Sequence, residues 1–313
     1  NNMSEQELIF ANRLRKRFKH FSKWARRQNI SCFRIYDHDI PEFPVIADYY
    51  EGKVILWISD RTRDDSEEAR QVFRQEVVKQ ALIGLDLDES NLFVKDRRPG
   101  GQYRRHSHNK NEFVVHEGGH NFLINLSDYH DTGLFLDHRR TRALVASQSQ
   151  GKKVLNLFCY TGSFTVYASA AGAASTVSVD LSGRYLDWLE RNLQLNSLQD
   201  KDNTLIEDDV VCWLEDAVQD GEHFDLIICD PPTFSNSKMT SSIFEVGKDH
   251  VKLIENCLKL LYPGGKLYFS TNKRNFTMQE IVYPNLHWKE ITSQTVSPDF
   301  ENSKAHRCWL FEL

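Results

Sequence analysis

Three aspartates stand where alternating elements of this chain should end: Asp180 in Val179-Asp-Leu181, Asp209 in Glu207-Asp-Asp-Val210, and Asp230 in Cys229-Asp-Pro-Pro-Thr233. Each follows a short, largely apolar run, so the three carboxylates would open at one edge of a parallel sheet. Carboxylates in such places accept hydrogen bonds. Asp180 is placed for the two hydroxyls of a ribose, and Asp209 for the exocyclic amine of an adenine. Alternatives stay open at both: Asp180 could simply cap the helix after it, and Asp208 competes with Asp209. The choice of Asp209 rests on Val210, an apolar neighbour able to pack on a ring. Asp230 is distinguished by Pro231 and Pro232. Two consecutive prolines fix φ twice and remove two backbone donors, giving a stiff loop that can hold a planar base, with Phe234 close behind.

The stretch that must position these acids is Lys153–Gly172. Val154, Leu155 and Leu157 make an uncharged strand, Thr161-Gly162-Ser163 supplies turn and N-cap chemistry, and alanines then give a helix able to pack close to a sheet. Asn156, Phe158, Tyr160 and Gly162 would shape the crevice at this strand's carboxyl end. The loop lacks the three spaced glycines that bring backbone amides to a pyrophosphate. Unless it is an ordinary βα turn, it suits a ligand without phosphates. S-adenosylmethionine is such a ligand, with S-adenosylhomocysteine as its product.

Around that stretch strands and helices alternate. Strands are expected at 154–158, 176–179, 203–206, 226–229 and 266–270, helices at 163–171, 182–195, 209–219 and 244–261, and a closing hairpin at 288–292 and 306–313. Short parallel βα repeats mean a doubly wound sheet, and a terminal hairpin is the Rossmann-like methyltransferase arrangement. The character changes near Asp128. Before it, Phe10, Leu14, Phe18, Phe21 and Ala25 form one face of a helix over about 5–27, followed by strands at 31–36, 44–50 and 53–59, a helix over 66–83, and strands at 91–94, 112–116 and 121–126.

Net charge is −5, the charged fraction 27% and the apolar fraction 40%, values of an ordinary globular protein. That balance hides two basic clusters. Residues 12–27 carry eight Lys/Arg and no acid, and 95–111 carry six against one acid around a Pro-Gly-Gly hinge. A single-sign helix face including Arg13, Arg15, Lys16, Lys19 and Lys23 suits a polyanion. In the second cluster Arg97, Arg98, Arg104 and Arg105 could meet phosphates while Tyr103 stacks on a base. Both could also be plain solvated surface. The six cysteines are scattered, without a metal-ligand or disulfide pattern, which together with the lack of an apolar run or leader predicts a cytoplasmic protein with no metal and no membrane partner. Asn1-Asn2 ahead of Met3 fits an added tag or a piece of a longer protein.

The segments Gly133–Arg142 (GLFLDHRRTR), Asn156–Ser163, Val179–Ser182, Asp209, Asp230–Lys238 (DPPTFSNSK) and Asn272–Phe276, together with the basic opening 10–25, resemble a known family over essentially the whole chain. It is the C-terminal half of the bacterial bifunctional 23S ribosomal RNA large-subunit methyltransferase, the half that forms N7-methylguanosine. The resemblance implies an α/β, Rossmann-like, seven-stranded class I S-adenosylmethionine-dependent methyltransferase domain (131–313) behind an N-terminal α+β RNA-binding domain (1–130). It also implies 23S rRNA or a pre-50S particle as partner, and a second methyltransferase half in the parent protein. Asp137 and Arg139 would then close over the methionine tail, Asp230, Pro231, Pro232 and Phe234 would position guanine, and Lys238, Lys273 and Arg274 would hold phosphates or lie on plain surface.

Residue chemistry narrows the reaction. Methylating cytosine C5 needs a cysteine nucleophile; the Asp230 and Ser270 loops offer none, and Cys229 should point into the sheet. Exocyclic amine methylation typically goes with an aromatic directly after the two prolines, where Thr233 stands. Guanine N7 has an in-plane lone pair and needs only alignment, at about 3–3.5 Å from the methyl, with no covalent intermediate. The competing readings are a cytosine-C5 rRNA methyltransferase and a non-catalytic RNA-binding assembly factor.

Overall fold

The computed structural model describes residues 7–62, 65–97, 111–236 and 243–313. The chain divides into two compact units, one of 1–119 and 123–136, the other of 120–122 and 137–313. The main division falls between Leu136 and Asp137.

In the first unit helix α1 (Ile9–Arg27) is followed by strands β1 (Cys32–Asp37), β2 (Val45–Tyr50) and β3 (Lys53–Ile58), helix α2 (Glu67–Leu85) and strand β4 (Leu92–Asp96). The strands form one sheet in the order β1-β2-β3-β4, antiparallel except for the last pair. Phe10, Leu14, Phe21 and Ala25 of α1 and Phe73, Val77 and Ala81 of α2 close a common core on that sheet. The two helices cross where Gly84 meets the Ala11 backbone; a Cβ there would lie 2.9 Å from Ala11 Cα. Gln80 of α2 caps α1 by accepting from the Phe10 and Ala11 amides at 3.0 Å each, so α1 needs no capping side chain of its own. A hairpin of β5 (Glu112–Glu117) and β6 (His120–Asn125) turns at Gly118-Gly119.

The second unit runs α3 (Arg139–Ala146), β7 (Lys153–Leu157), α4 (Ser163–Ala170), β8 (Ser175–Asp180), α5 (Gly183–Leu195), β9 (Asn203–Glu207), α6 (Val210–Gln219) and β10 (Phe224–Cys229). After β10 come the short β11 (Phe234–Asn236) and β12 (Ile243–Glu245), then α7 (Val246–Lys259), β13 (Leu261–Thr271), β14 (His287–Glu290), α8 (Thr292–Thr295) and β15 (Arg307–Glu312). Seven strands form one sheet in the order β14-β15-β13-β10-β7-β8-β9, parallel from β13 to β9, with β15 antiparallel to both neighbours. This is the α/β, seven-stranded arrangement expected. Alternate residues feed two cores: Leu155, Leu157, Ile227 and Cys229 pack with α6 and α7, while Val154, Leu226 and Ile228 pack with α3 and α4. A strand buried on both faces leaves only its carboxyl end free for chemistry, and the order reverses between β7 and β10. Sequence reading missed the β11–β12 ribbon, whose three-residue strands are too short for an alternating pattern to register.

Candidate active site

At the end of β7 the chain turns sharply. Phe158 and Tyr160 take left-handed φ values of 56° and 53°, and Gly162 takes 78° as it opens α4. Gly162 is required twice over, because a Cβ there would overlap Leu189 of α5, 2.5 Å from Cδ1. Non-glycine residues held in this region store strain that the surroundings must hold in place. Here the surroundings include Asp180 at the end of β8, which accepts the Tyr160 amide at 3.0 Å and the Ser182 amide at 2.9 Å. Burial raises the Asp180 carboxyl above the usual range, against the lowering effect of these backbone donors. The ring of Tyr160 lies edge-on to Tyr185 at 4.6 Å.

The other predicted cofactor residues divide. Asp209 is buried at the head of α6 and its Oδ1 caps the Cys212 amide at 3.2 Å, a role that engages one of its two oxygens. Asp208 accepts the Asp209 amide at 2.8 Å. Asn156 is buried beneath α4, donating to Thr165 Oγ1 at 3.0 Å, which in turn meets Ser178 at 2.6 Å. It pins strand to helix. Arg139 likewise has buried partners: Asp299 takes its guanidinium at 3.0 and 3.1 Å and Ser297 accepts a third bond at 2.9 Å.

Asp230 sits just past β10 with its side chain 29% exposed. Ser270 of β13 donates to its Oδ1 at 2.7 Å, and His138 Nε2 lies 3.2 Å from its Oδ2. His138, in the turn before α3, is buried, stacked on His306 at 4.5 Å and 20°, and 3.7 Å from Asp137 Oδ2. His306 is held by Asp137 at 2.8 Å and Thr295 at 2.9 Å. Asp137, His138 and His306 bring ligand-type atoms within 4.8 Å of one another. The 2.8 Å between His306 Nδ1 and Asp137 Oδ2 is a hydrogen-bond distance, shorter than the ~3.4 Å that separates two tetrahedral zinc ligands. Sequence reasoning singled out Asp137 and Asp230 but not His138, Ser270, Thr295 or His306. His138 stands beside Asp137 in the GLFLDHRRTR segment, which was the one available signal.

Beyond Asp230, Pro231 is buried and Pro232 exposed, Thr233 Oγ1 donates to Asn272 at 3.1 Å, and Phe234 is 64% exposed on β11. Lys273 does not offer a free ammonium: Glu245, which caps α7, holds it at 2.9 Å. Arg274 is exposed, as are Arg13, Arg15, Lys16, Lys19 and Lys23 on α1 and Arg97 after β4. Arg15 bonds Asn12 at 3.1 Å. Arg98, Tyr103, Arg104, Arg105 and Lys238 lie outside the described residues. Among the described residues no helix is long and apolar enough to cross a membrane.

The donor set fits S-adenosylmethionine: recessed carboxylates at the ends of β8 and β9, a glycine turn with no phosphate cradle, and aromatic rings at the rim. Comparison with known proteins agrees. The family profile described as S-adenosylmethionine-dependent methyltransferase matches residues 47–307. A Neisseria meningitidis protein named ribosomal RNA large subunit methyltransferase K is 45% identical over 303 residues, covering 96% of this chain and 86% of that protein. A Pseudomonas entomophila protein named ribosomal RNA large subunit methyltransferase K/L is 44% identical over 316 residues, and the alignment takes in 99% of this chain but 43% of that protein. A methyltransferase crystallised with S-adenosylhomocysteine superposes with a TM-score of 0.76 at 25% identity, covering 100% of this chain and 83% of that one. The chain belongs to the S-adenosylmethionine-dependent methyltransferase family, in the branch that holds the methyltransferases named K and K/L.

Proposed function

We propose that this chain methylates large-subunit ribosomal RNA at guanine N7 by direct in-line transfer. The names of its relatives support the substrate class, and the chemistry of the candidate site supports the choice of atom. S-adenosylmethionine supplies the methyl group as an electrophilic sulfonium substituent. Asp180 and the second oxygen of Asp209 are placed to hold the ribose and adenine of that cofactor, and Phe158 and Tyr160 to wall it. Phe234, exposed beyond two prolines, offers a ring for the target base to stack on.

The observation that carries the reading is the fixed, partly exposed Asp230 carboxylate, with no cysteine poised beside it among the described residues. Guanine N7 attacks with its own lone pair, the purine takes the positive charge, and no proton has to leave. The chain therefore needs alignment and a compensating negative charge, which Asp230 provides. Cytosine C5 chemistry is disfavoured, because Cys229 is fully buried against α7 and burial pushes its thiol well up, as it does the thiols of Cys159 and Cys308. The exposed cations of α1 and Arg97 would hold RNA phosphates in this reading, with 23S rRNA or a pre-50S particle as the partner. A parent protein of the K/L length would carry a second half besides.

The test is methyl transfer from labelled S-adenosylmethionine to large-subunit rRNA, as naked transcript and as pre-50S particle, followed by nucleoside analysis. 7-Methylguanosine is the expected product. Recovery of 5-methylcytidine or N2-methylguanosine would overturn the choice of atom, and calorimetry with no cofactor binding would favour a non-catalytic RNA-binding factor.

A further inference from the structure

We propose that His138 is a positioning residue for methyl transfer, holding the Asp230 carboxylate toward the base and doing so in its protonated form. The inference rests on the reading of Asp230 given above. Residues 138, 230, 270 and 306 are far apart in sequence, yet the fold joins them in one chain of contacts. Ser270 holds Oδ1 of Asp230 from the neighbouring strand, and His138 holds Oδ2 from the turn before α3. With both oxygens engaged the carboxylate cannot swing about its last torsion, and its exposed edge faces one way.

The imidazole is itself held. His306 stacks on one face, the edge of Phe164 lies 5.8 Å away at 60°, and Asp137 is shared between the two histidines. His138 Nε2 thus lies between two carboxylates, at 3.2 and 3.7 Å, while Nδ1 is buried with no hydrogen-bond partner. One N–H shared by two carboxylates is what a cationic ring stabilises and a neutral ring leaves mutually repulsive.

The groups facing His138 are Asp137 in its own turn, Asp230 from the end of β10, Arg142 from α3 and His306 from the approach to β15. Burial lowers its pKa, but the two aspartates outweigh burial and Arg142 together, so the net shift is upward. The sign follows. The protonated form prevails below that raised pKa, and its hold on Asp230 is lost as pH rises through it.

The test uses the full chain, with kcat and KM for methyl transfer to rRNA measured between about pH 6 and 8.5. Wild type should lose kcat on the alkaline side. His138→Gln carries a neutral N–H near the same position at every pH, so it should show a lower kcat and no falling limb. His138→Leu should lose on the order of 10²-fold in kcat, the scale of a misplaced reacting group. Cofactor affinity by calorimetry should stay within a few-fold of wild type in both, which also reports folding. Should the leucine variant not fold, the glutamine profile decides alone.

A falling limb that survives in His138→Gln, or is missing from wild type, would overturn the inference. Asp230→Asn run in parallel separates the two claims. A fully active Asp230→Asn overturns the underlying reading. An inactive Asp230→Asn beside a His138→Gln with wild-type rate and profile overturns only the role of His138.

Discussion

Replacing Gly162 by alanine isolates how the cofactor turn is built. Two penalties act together. At φ 78° an L-residue sits in the left-handed region, which costs about 1–2 kcal/mol. The added Cβ would also overlap Leu189, lying 2.5 Å from Cδ1 and 3.1 Å from Cβ of a side chain that is fully buried and has no room to withdraw. Overpacking of that kind costs roughly 1–3 kcal/mol. Reduced freedom of the unfolded chain returns about 0.4–1 kcal/mol. The net loss is roughly 1–5 kcal/mol, a large share of the ~5–15 kcal/mol that stabilises a domain. For a unit of this size that corresponds to a fall in Tm of roughly 2–20 °C.

Urea and thermal unfolding measure this loss, and Leu189→Ala divides it. That substitution alone should cost about 2–5 kcal/mol for the cavity it opens. Combined with Gly162→Ala it should recover the steric part, giving a coupling of about 1–3 kcal/mol while the φ penalty persists. Cofactor affinity should fall at least about tenfold with Gly162→Ala, because the turn carries the Tyr160 amide that bonds Asp180. A variant with Tm and affinity within error of wild type would refute the claim that this glycine shapes the crevice.

Three further outcomes are expected. Asp180→Asn should weaken S-adenosylmethionine binding by roughly 10–100-fold, the value of about 1.5–3 kcal/mol for hydrogen bonds to a charged group. Since burial raises its pKa, wild-type affinity should decline as pH falls through a less acidic range than for an ordinary carboxyl, and calorimetry on Asp180→Asn should show no such decline. Asp299→Ala strands a buried guanidinium and should cost about 3–5 kcal/mol, whereas Arg139→Met with Asp299→Leu should recover most of it at unchanged cofactor affinity. A large affinity loss in that stable double variant would return Arg139 to the cofactor. Neutralising Arg13, Lys16, Lys19 and Lys23 together should raise KM for RNA and flatten its salt dependence, the log–log slope shrinking by ~0.7–0.9 for each phosphate no longer neutralised. Unchanged RNA binding would make α1 an ordinary solvated helix.

The strands and helices of the second unit were legible because the strands carry short, largely apolar runs and helix caps or glycines follow several of them, and those signals are local. Ser182, Asp209 and Glu245 cap helices in the structure as such residues do in general. Contacts between distant elements carry no such local signal. A polar residue in a buried strand looks like a ligand contact in sequence, and in the fold the Asn156 amide donates to Thr165. A cation near a motif reads as a clamp on the methionine tail for Arg139 or on a phosphate for Lys273, and in the fold these two meet Asp299 and Glu245. Side-chain partners across a fold are set by which strand lies beside which, and no spacing along the chain encodes that.

The histidine pair shows the point in its strongest form. His138 precedes the first helix of the second unit, and His306 stands just before its last strand, so nothing in either local sequence suggests a shared site. They meet because β15 inserts antiparallel between β13 and β14, and its register, pairing Thr271 with Arg307, brings the residue before it to the edge where β13 ends. Ser270 lies on that same edge, one residue from the end of β13, and bonds Asp230. The strand that closes the sheet therefore also completes the support of the acid on β10. A change in the β13–β15 register by one residue would turn the side chains of 306 and 308 to the opposite face. Such a slip would remove the stacking partner of His138 without altering Asp180, Asp209 or Phe234, the residues proposed to meet the cofactor and the base.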